Sequence, residues 1–585
     1  MNYPIWELPG SGLLIAFVAV VHVVVSHFAV GGGLFLVLAE RKARLEGDQE
    51  LLGYVKRHSR FFILLTLVVG AITGVGIWFT VGLVHPQATS SLINAFVWAW
   101  AIEWTFFVTE IAAAMVYYHG WDRLLPRVHM RVGWIYFWSA WLSLVAISGI
   151  LSFMLTPGGW LETRSFWQGL VNPTFLPTVA ARTAVAVGLA GLYALVTVAW
   201  SGRPDTKARV ARYAGLKWVV PMAVALPVTI TWFLWAASGA GVPVSGVLGA
   251  RADSIGALIQ SLAAAPQTGH PIAHRAAQVV FAASLTSLLL TLFIALVRPR
   301  GFGPPLALAA SLAAFIAIGA GEWVREDLRK PFVIGRYMFV NGVRVAEPPI
   351  SVVPTAEVAG LVGSDRYTVR ALTESGVLAA SAWARTPPPG SAGVGRSRAE
   401  GEQVFKILCS SCHTVDGYVA MRPLVAGMSV GAIEHVVERL AVPVDAAAQP
   451  AAWAPRVEHR SWRGRRMPPF AGTPEERHAL AVYLAILGGA TPESVAAPPP
   501  EGGDVGKQYF EENCSSCHDP GGDMAIRPKG RTAETFYEVL GRLPSINELM
   551  PAFEGTDDLR RALAAHLAGL SEPDAPGAVA KESSR

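Results

Sequence analysis

Eight long apolar segments fill the first half of this 585-residue chain and limit what it can fold into. A helix needs roughly 20 mostly apolar residues to cross a bilayer. Because a bilayer offers backbone groups no water, such segments must form helices. We predict an all-α, polytopic membrane helix bundle of about eight transmembrane helices within residues 1–335. With soft ends, the segments are 13–39, 61–84, 93–118, 132–155, 174–200, 216–238, 273–297 and 304–324.

Basic residues lie mainly in alternate loops, those that follow segments 1, 3, 5 and 7. They are Arg41, Lys42, Arg44, Lys56, Arg57, Arg60, Arg123, Arg127, Arg131, Arg203, Lys207, Arg209, Arg212, Lys217, Arg298 and Arg300. Lys and Arg collect in cytoplasmic loops, so we predict an external N-terminus and an external C-terminal half. The formal net charge of +5 then reports membrane orientation, and nucleic acid is not an expected partner. The first apolar run is too long for the core of a cleaved signal, so we expect it to remain as a spanning helix.

All four cysteines lie in two copies of one pentapeptide, Cys409-Ser410-Ser411-Cys412-His413 and Cys514-Ser515-Ser516-Cys517-His518. Cys-x-x-Cys-His is the attachment motif of a c-type haem, in which the thiols form thioethers and the histidine binds the iron. A thioredoxin-like pair or a structural zinc site would leave the histidine after both pairs unexplained. We therefore predict two covalent haem c groups. Attachment occurs outside the bacterial inner (cytoplasmic) membrane, which places these domains in the periplasm.

The C-terminal half contains two similar units, predicted to be small α-helical cytochrome c domains. Each has a helix before its haem box, then a Met-Pro-x-Phe loop, then a final helix. Met467 and Met550 begin these loops and are the expected sixth ligands, with core packing as the alternative role for a methionine. Met421, Met428 and Met524 are weaker candidates. The predicted boundaries are 336–396 for a connecting segment, 397–490 and 504–572 for the domains, 491–503 for a linker and 573–585 for a tail.

Ionisable side chains inside the spans are costly and mark candidate functional sites. His22 lies in the first span, and Glu103 and Glu110 lie seven residues apart on one face of the third. Glu326 and Arg329 lie at the outer end of the last span. Polar contacts between helices, or an ordinary ion-pair cluster at the interface, are the alternative readings.

The membrane half resembles subunit I of the cytochrome bd oxygen reductases over roughly residues 10–335. His22, nine residues before Gly31, matches that family's first helix. Two further motifs carry the resemblance: Gly120-Trp121-Asp122-Arg123-Leu124, and Gly321-Glu322-Trp323-Val324-Arg325-Glu326-Asp327-Leu328-Arg329-Lys330-Pro331-Phe332.

The resemblance implies a haem pair in the membrane half. His22 then corresponds to an axial ligand of paired high-spin haems, and Glu326 to the glutamate ligand of that pair. Glu103 corresponds to a glutamate of proton supply, and Arg329 to an arginine that faces haem propionates. Glu110 shares the face of Glu103 and joins it as a candidate catalytic residue. One or two non-covalent haems of b or d type are the expected cofactors.

The chain also departs from this family. Arg182 and Ala277 stand where the family's low-spin haem has its His and Met ligands, so that haem is expected to be absent or bound differently, with His270 or His274 as substitutes. The segment 238–271 is short and nearly uncharged, unlike the family's quinol-binding loop. The ninth helix of the family has no counterpart.

Together these features predict a membrane-bound respiratory oxidoreductase. Electrons would enter from a periplasmic cytochrome c or another donor through the c haems, not from quinol, and dioxygen or another small oxidant would be reduced at the His22 and Glu326 haem site. The rival is a non-catalytic dihaem subunit that relays electrons between a quinol-oxidising complex and periplasmic acceptors. A purely structural subunit is a third reading. Beyond the lipid bilayer, a second membrane subunit or a larger respiratory complex remains an open partner.

Overall fold

The chain is almost entirely helical in the parts that the structure describes, and these parts form two compact units. The membrane unit contains the described residues up to Val369 together with residues 467–468, and the soluble unit contains the described residues of 370–440 and those from Pro469 onward. The computed structural model describes residues 11–249, 254–263, 271–345, 367–417, 419–440, 467–496, 505–515, 518, 526, 528, 531–546, 550, 552–553 and 555–570.

Eight helices of the membrane unit are long and apolar enough to cross a bilayer, which confirms the predicted helical bundle. They are α1 (Gly12–Leu45), α2 (Gln49–Val84), α3 (Val97–His119), α4 (Pro126–Phe153), α5 (Phe175–Ala199), α6 (Pro204–Gly239), α7 (Ile272–Val297) and α8 (Pro304–Arg329). Shorter helices between them are Pro86–Ala95, Trp160–Thr163, Phe166–Leu170, Val244–Leu248 and Ile255–Ala263.

Helices α2 and α6 begin 12 residues before the apolar segments predicted for them. Their first turns are amphipathic and charged, which hydropathy alone does not recognise as helix. The start of α2 is fixed by Asp48, whose carboxylate accepts the backbone N–H of Leu51 at 3.0 Å. These extensions bring polar residues of the Lys- and Arg-rich loops onto rigid helix ends.

A close crossing of α1 and α5 forms the centre of the membrane unit. A Cβ at Gly31 would lie 1.8 Å from the carbonyl oxygen of Ala186, so only glycine allows this approach. Phe28, Phe35 and Leu189 are almost fully buried around the crossing. This packing fixes the position of His22 along the axis of α1, because His22 lies nine residues before Gly31 on the same helix.

A short hairpin follows α8 and anchors its outer end. Strands β1 (Phe332–Ile334) and β2 (Met338–Phe339) are antiparallel, with Phe332 opposite Phe339 and their rings stacked at 4.8 Å. The backbone N–H of Gly335 donates to Met154 O at 2.9 Å, which ties the hairpin to the end of α4. The segment that carries Glu326 and Arg329 is thereby held on two sides.

The soluble unit repeats one helix crossing in its two halves. Its main helices are α9 (Gly393–Leu408), α10 (Val430–Leu440), α11 (Pro474–Leu487), α12 (Val505–Asn513), α13 (Ala533–Leu540) and α14 (Asp557–Ala568). Its shorter helices are Val369–Ser375, which begins at the unit boundary, Val377–Ala380, Arg422–Val425, Pro492–Ala496 and Leu543–Ile546.

In each half, the helix before the haem box crosses the final helix at a glycine. A Cβ at Gly401 would lie 1.9 Å from Ala479 O, and a Cβ at Gly506 would lie 2.1 Å from Ala562 O. Four residues after each glycine, a phenylalanine ring packs against a ring of the final helix. The ring centroids of Phe405 and Tyr483 are 5.6 Å apart, and those of Phe510 and His566 are 5.4 Å apart. The two halves therefore share one architecture.

Candidate haem sites

The first haem box forms a single turn at the end of α9. The backbone N–H of Cys409 donates to Phe405 O at 2.8 Å, and that of His413 donates to Cys409 O at 2.9 Å. Burial, with a smaller contribution from Cys412, raises the pKa of the Cys409 thiol to about 12. Redox exchange requires a thiolate near neutral pH, so this thiol is unsuited to a thioredoxin-like role. The turn suits covalent attachment better.

The imidazole of His413 is oriented as a haem ligand. Its Nδ1 donates to the carbonyl oxygen of Val419 at 3.1 Å, which fixes the tautomer and leaves Nε2 for iron. Burial lowers the pKa of His413 below its usual value, although the Val419 bond opposes the shift. The ring is therefore neutral at physiological pH, the form that binds a metal.

The second box repeats the turn as far as the structure describes it. The backbone N–H of Cys514 donates to Phe510 O at 2.8 Å, and that of His518 donates to Cys514 O at 2.9 Å. Cys517 lies outside the described residues. Met467 and Met550 are half-buried and stand seven residues before α11 and α14. Their equal position in the two halves keeps them as the predicted sixth ligands; Met524 lies outside the described residues.

In the membrane unit, His22 of α1 is held against α2 through one ring nitrogen. The hydroxyl of Thr73 gives its proton to Val69 O at 2.7 Å, so it accepts from Nδ1 of His22 at 3.0 Å. This bond leaves Nε2 of His22 available for an iron. A Cβ at Gly74 would lie 3.3 Å from Cε1 of the same ring, so glycine makes room for the imidazole there.

At the outer end of α8, Arg329 holds Glu326 and leaves donors for another anion. Its Nη2 donates to Glu326 Oε2 at 2.5 Å, and its Nη1 donates to Val333 O at 3.2 Å. The Nε of Arg329 and the Nη1 of Arg325 are buried and have no hydrogen-bond partner among the described residues. Buried donors of this kind need an acceptor, and a haem propionate fits them. The Glu326 side chain is 35% exposed, so its carboxylate is accessible to an iron.

Helix register separates His22 from Glu326. A Cβ at Gly319 of α8 would lie 3.7 Å from Val20 of α1, so these positions share one level. The first and eighth spans run in opposite directions, and His22 and Glu326 lie on opposite sides of that level. At 1.5 Å per residue, nine residues place them roughly 13 Å apart along the helix axes. Such a separation suits the ligands of two neighbouring irons, not of one.

Glu103 and Glu110 of α3 both bond to α4. Ser143 Oγ donates to Glu103 Oε1 at 2.8 Å, and the Tyr136 hydroxyl lies 2.9 Å from Glu110 Oε1. Tyr136 OH is also 2.9 Å from Ala29 O, so its proton is shared between α1 and α3. The two carboxyl groups therefore share the face predicted for them, with hydroxyl groups beside each.

Two family models match the chain, one in the membrane half and one in the C-terminal half. Residues 11–242 match the model of cytochrome bd terminal oxidase subunit I. Residues 396–484 and 502–567 each match the model of cytochrome c oxidase, cbb3-type, subunit III. The chain joins a cytochrome bd subunit I-like membrane domain to cytochrome c domains.

One solved structure is similar over much of the chain, the bd oxidase from Geobacillus thermodenitrificans. It is 18% identical, with a TM-score of 0.46, and the match covers 60% of this chain and 92% of that one. No curated protein matches the chain.

Arg182 of α5, which stands at the position of the low-spin haem histidine in the resemblance described above, belongs to an ion cluster. Arg325 Nε donates to Glu322 Oε2 at 2.8 Å, and Arg182 lies within electrostatic range of both. His27, 2% exposed, interacts electrostatically with Arg182 and Glu322. His27 lies five residues after His22 on a different face of α1, and only the charged residues of α5 and α8 could have indicated this cluster from the sequence.

His270 and His274 are the predicted substitutes for the histidine ligand of the low-spin haem, and the structure describes only His274. His274 is fully buried, and its Nδ1 donates to Leu248 O at 2.7 Å, so this nitrogen is engaged by a neighbouring helix. His270 lies outside the described residues.

His85 is a further residue that the sequence reasoning missed. It directly follows α2 and lies within electrostatic range of Glu326 and Arg329. Burial and, to a smaller extent, the positive charge of Arg329 lower the pKa of His85 to about 4, against the opposing effect of Glu326. A neutral imidazole thus stands beside the Glu326 site. Its position at the end of a span, directly before Pro86, was the only signal in the sequence.

Proposed function

We propose that this protein is a respiratory oxidoreductase of the inner membrane that takes electrons through two periplasmic c-type haems. A soluble cytochrome c or another periplasmic donor would reduce these haems. The membrane domain would receive the electrons at non-covalent haems bound by His22 and Glu326. A haem iron with one protein ligand supplies an open position at which dioxygen or another small oxidant is reduced.

One observation supports this proposal: the membrane domain has two separate groups of candidate haem ligands, and the C-terminal half has two Cys-x-x-Cys-His boxes. His22 presents Nε2, and Glu326 presents a carboxylate that Arg329 orients. The unpartnered nitrogens of Arg325 and Arg329 offer donors to propionates. Glu103 and Glu110 would hold protons near the site, with Ser143 and Tyr136 as their hydrogen-bonding neighbours.

The loss of quinol features favours the c haems as the entrance for electrons. The segment between α6 and α7 is short, and Arg182 replaces the expected low-spin histidine with an ion cluster. These same losses favour the rival, a dihaem subunit that relays electrons without catalysis. The rival requires no haem at His22, which makes the two functions separable by experiment.

Haem content by type, together with a CO difference spectrum, tests the proposal in the purified full-length protein. We expect two c haems, at least one non-covalent haem and a CO-binding species. His22→Ala should lower the content of non-covalent haem and weaken the CO-binding species without changing the c haems. His119→Ala is a matched control, because His119 is an exposed histidine at the end of α3. A protein with c haems alone would contradict the proposal and support the relay.

A further inference from the structure

A cavity of about 350 Å³ opens between α2 and α5 at the end of the bundle that carries the Lys- and Arg-rich loops. Its walls combine aromatic rings, hydroxyl groups and one guanidinium, from Tyr54, Arg57, His58, Thr197, Trp200 and Ser201. Neither the haem sites nor the candidate proton-holding glutamates contact it. A mostly apolar cavity with a few convergent polar groups is the usual form of a small-ligand site.

His58 lines this cavity and has one nitrogen without a partner. The side chain is 1% exposed, and its Nδ1 lies 2.9 Å from Thr197 Oγ1. Nε2 is buried and makes no hydrogen bond to any residue in the part of the chain that the structure describes. The ring centroids of Phe35 and Tyr54 lie 5.3 and 5.7 Å from the centroid of the imidazole, and this packing holds the imidazole in place. A buried polar atom held this rigidly needs a ligand or water to satisfy it.

Arg57 supplies a positive charge at the rim. Its side chain is exposed, and it pairs with no carboxylate of the described residues, whereas the preceding Lys56 pairs with Asp122. Ser201 accepts the backbone N–H of Arg203 at 3.3 Å, so its own proton remains available for donation. These donors converge on an acceptor with several oxygens and a negative charge.

We propose that this cavity binds the head group of an anionic phospholipid. Trp200, 74% exposed, ends α5 at the depth where tryptophan marks the membrane–water interface. Basic pockets between helices on the cytoplasmic side bind acidic head groups. One phosphate oxygen pairs with Arg57, and a hydroxyl of the head group donates to Nε2 of His58, because Thr197 gives its proton to Ala194 O at 3.2 Å and therefore accepts from Nδ1. The acyl chains extend along the apolar helix surface towards Phe61.

Native mass spectrometry of the full-length protein in detergent tests this site by adding phosphatidylglycerol, phosphatidylethanolamine or inorganic phosphate. We expect one retained phosphatidylglycerol, weaker phosphatidylethanolamine, and no effect of inorganic phosphate alone. Arg57→Gln should weaken phosphatidylglycerol binding about tenfold, as expected for loss of a hydrogen bond to a charged group. Arg60→Gln is the matched control, because Arg60 is exposed on the same helix outside the cavity.

Two variants keep the test decisive if Arg57→Gln folds poorly. Ser201→Ala and His58→Phe should each weaken binding of the same lipid, because each removes a hydrogen-bonding group that lines the cavity. Equal losses in Arg57→Gln and Arg60→Gln would show general surface attraction and overturn the proposal. Displacement of the lipid by a ubiquinone analogue would instead assign the cavity to a quinone and would also overturn it. Neither outcome bears on the haem sites, so the proposed function is tested separately.

Discussion

Glu476 is the residue whose replacement should most clearly destabilise the first cytochrome domain. Its carboxylate is buried at the start of α11 and accepts three backbone N–H groups, from Leu378 at 2.8 Å, Val377 at 2.9 Å and Thr473 at 3.1 Å. Gly376, with φ of +90°, allows the chain to approach this carboxylate closely. The clamp joins the segment before the domain to the loop that continues from Met467.

The expected loss of unfolding free energy on replacing Glu476 follows from these three hydrogen bonds. A buried N–H left without an acceptor costs about 1–3 kcal/mol, so Glu476→Ala should cost about 4 kcal/mol. Glu476→Gln keeps one acceptor oxygen and should cost about 2 kcal/mol. A domain of this size loses roughly 4–8 °C in melting temperature per kcal/mol, which predicts a fall of at least roughly 15 °C for the alanine variant.

Heating the full-length protein while recording the far-red absorption band of Met-ligated ferric haem measures this effect. Half of the band should disappear early in Glu476→Ala, since only the first domain is weakened, and half at the temperature of the parent. Glu475→Gln is the control, because Glu475 is the exposed neighbour at the same helix N-terminus. Equal melting of Glu476→Ala and Glu475→Gln would refute the clamp.

Three further predictions concern the second domain, the proton site and His85. Gly506→Ala places a Cβ 2.1 Å from Ala562 O, so it should force the helices apart and reduce haem c from two groups towards one per chain, measured by haem content. Tyr136→Phe removes the donor to Glu110 and should slow oxygen uptake severalfold with haem content unchanged. His85 has a folded pKa of about 4, below its unfolded value, so its contribution to stability is complete above about pH 6.5. As pH falls towards 4, the unfolding free energy should drop by up to about 1.4 kcal/mol per pH unit, and His85→Gln should lessen this drop in thermal unfolding.

Each of these predictions has a control and a contrary result. Gly395→Ala meets no atom within 4 Å and should keep both c haems; loss of haem in this variant would show that any glycine change is harmful. Tyr118→Phe, which alters a tyrosine on α3 outside these bonds, should leave oxygen uptake unchanged. A Tyr136→Phe protein with full uptake would remove Glu110 from the proposed proton site. Parallel pH curves for the parent and His85→Gln would contradict the burial of His85.

The sequence predicted the elements better than the side-chain contacts. Long apolar runs and two Cys-x-x-Cys-His boxes define the bundle and the haem turns locally, because each depends on residues that are close in the chain. The Arg182 cluster and the neighbourhood of His85 join residues more than a hundred positions apart. The pairing of Ser143 with Glu103 likewise depends on how α3 and α4 rotate, which hydropathy does not specify. The early start of α2 was missed because its first turns are amphipathic.

Mixing the fully reduced protein with oxygen tests the central claim most directly. The c-haem absorbance should return to the oxidised form within the turnover time in the parent and in His119→Ala. In His22→Ala the c haems should be reoxidised much more slowly, because the membrane domain loses the haem that His22 holds. Equal reoxidation in His22→Ala and the parent, or persistent reduction in the parent, would contradict electron flow from the c haems to a haem at His22.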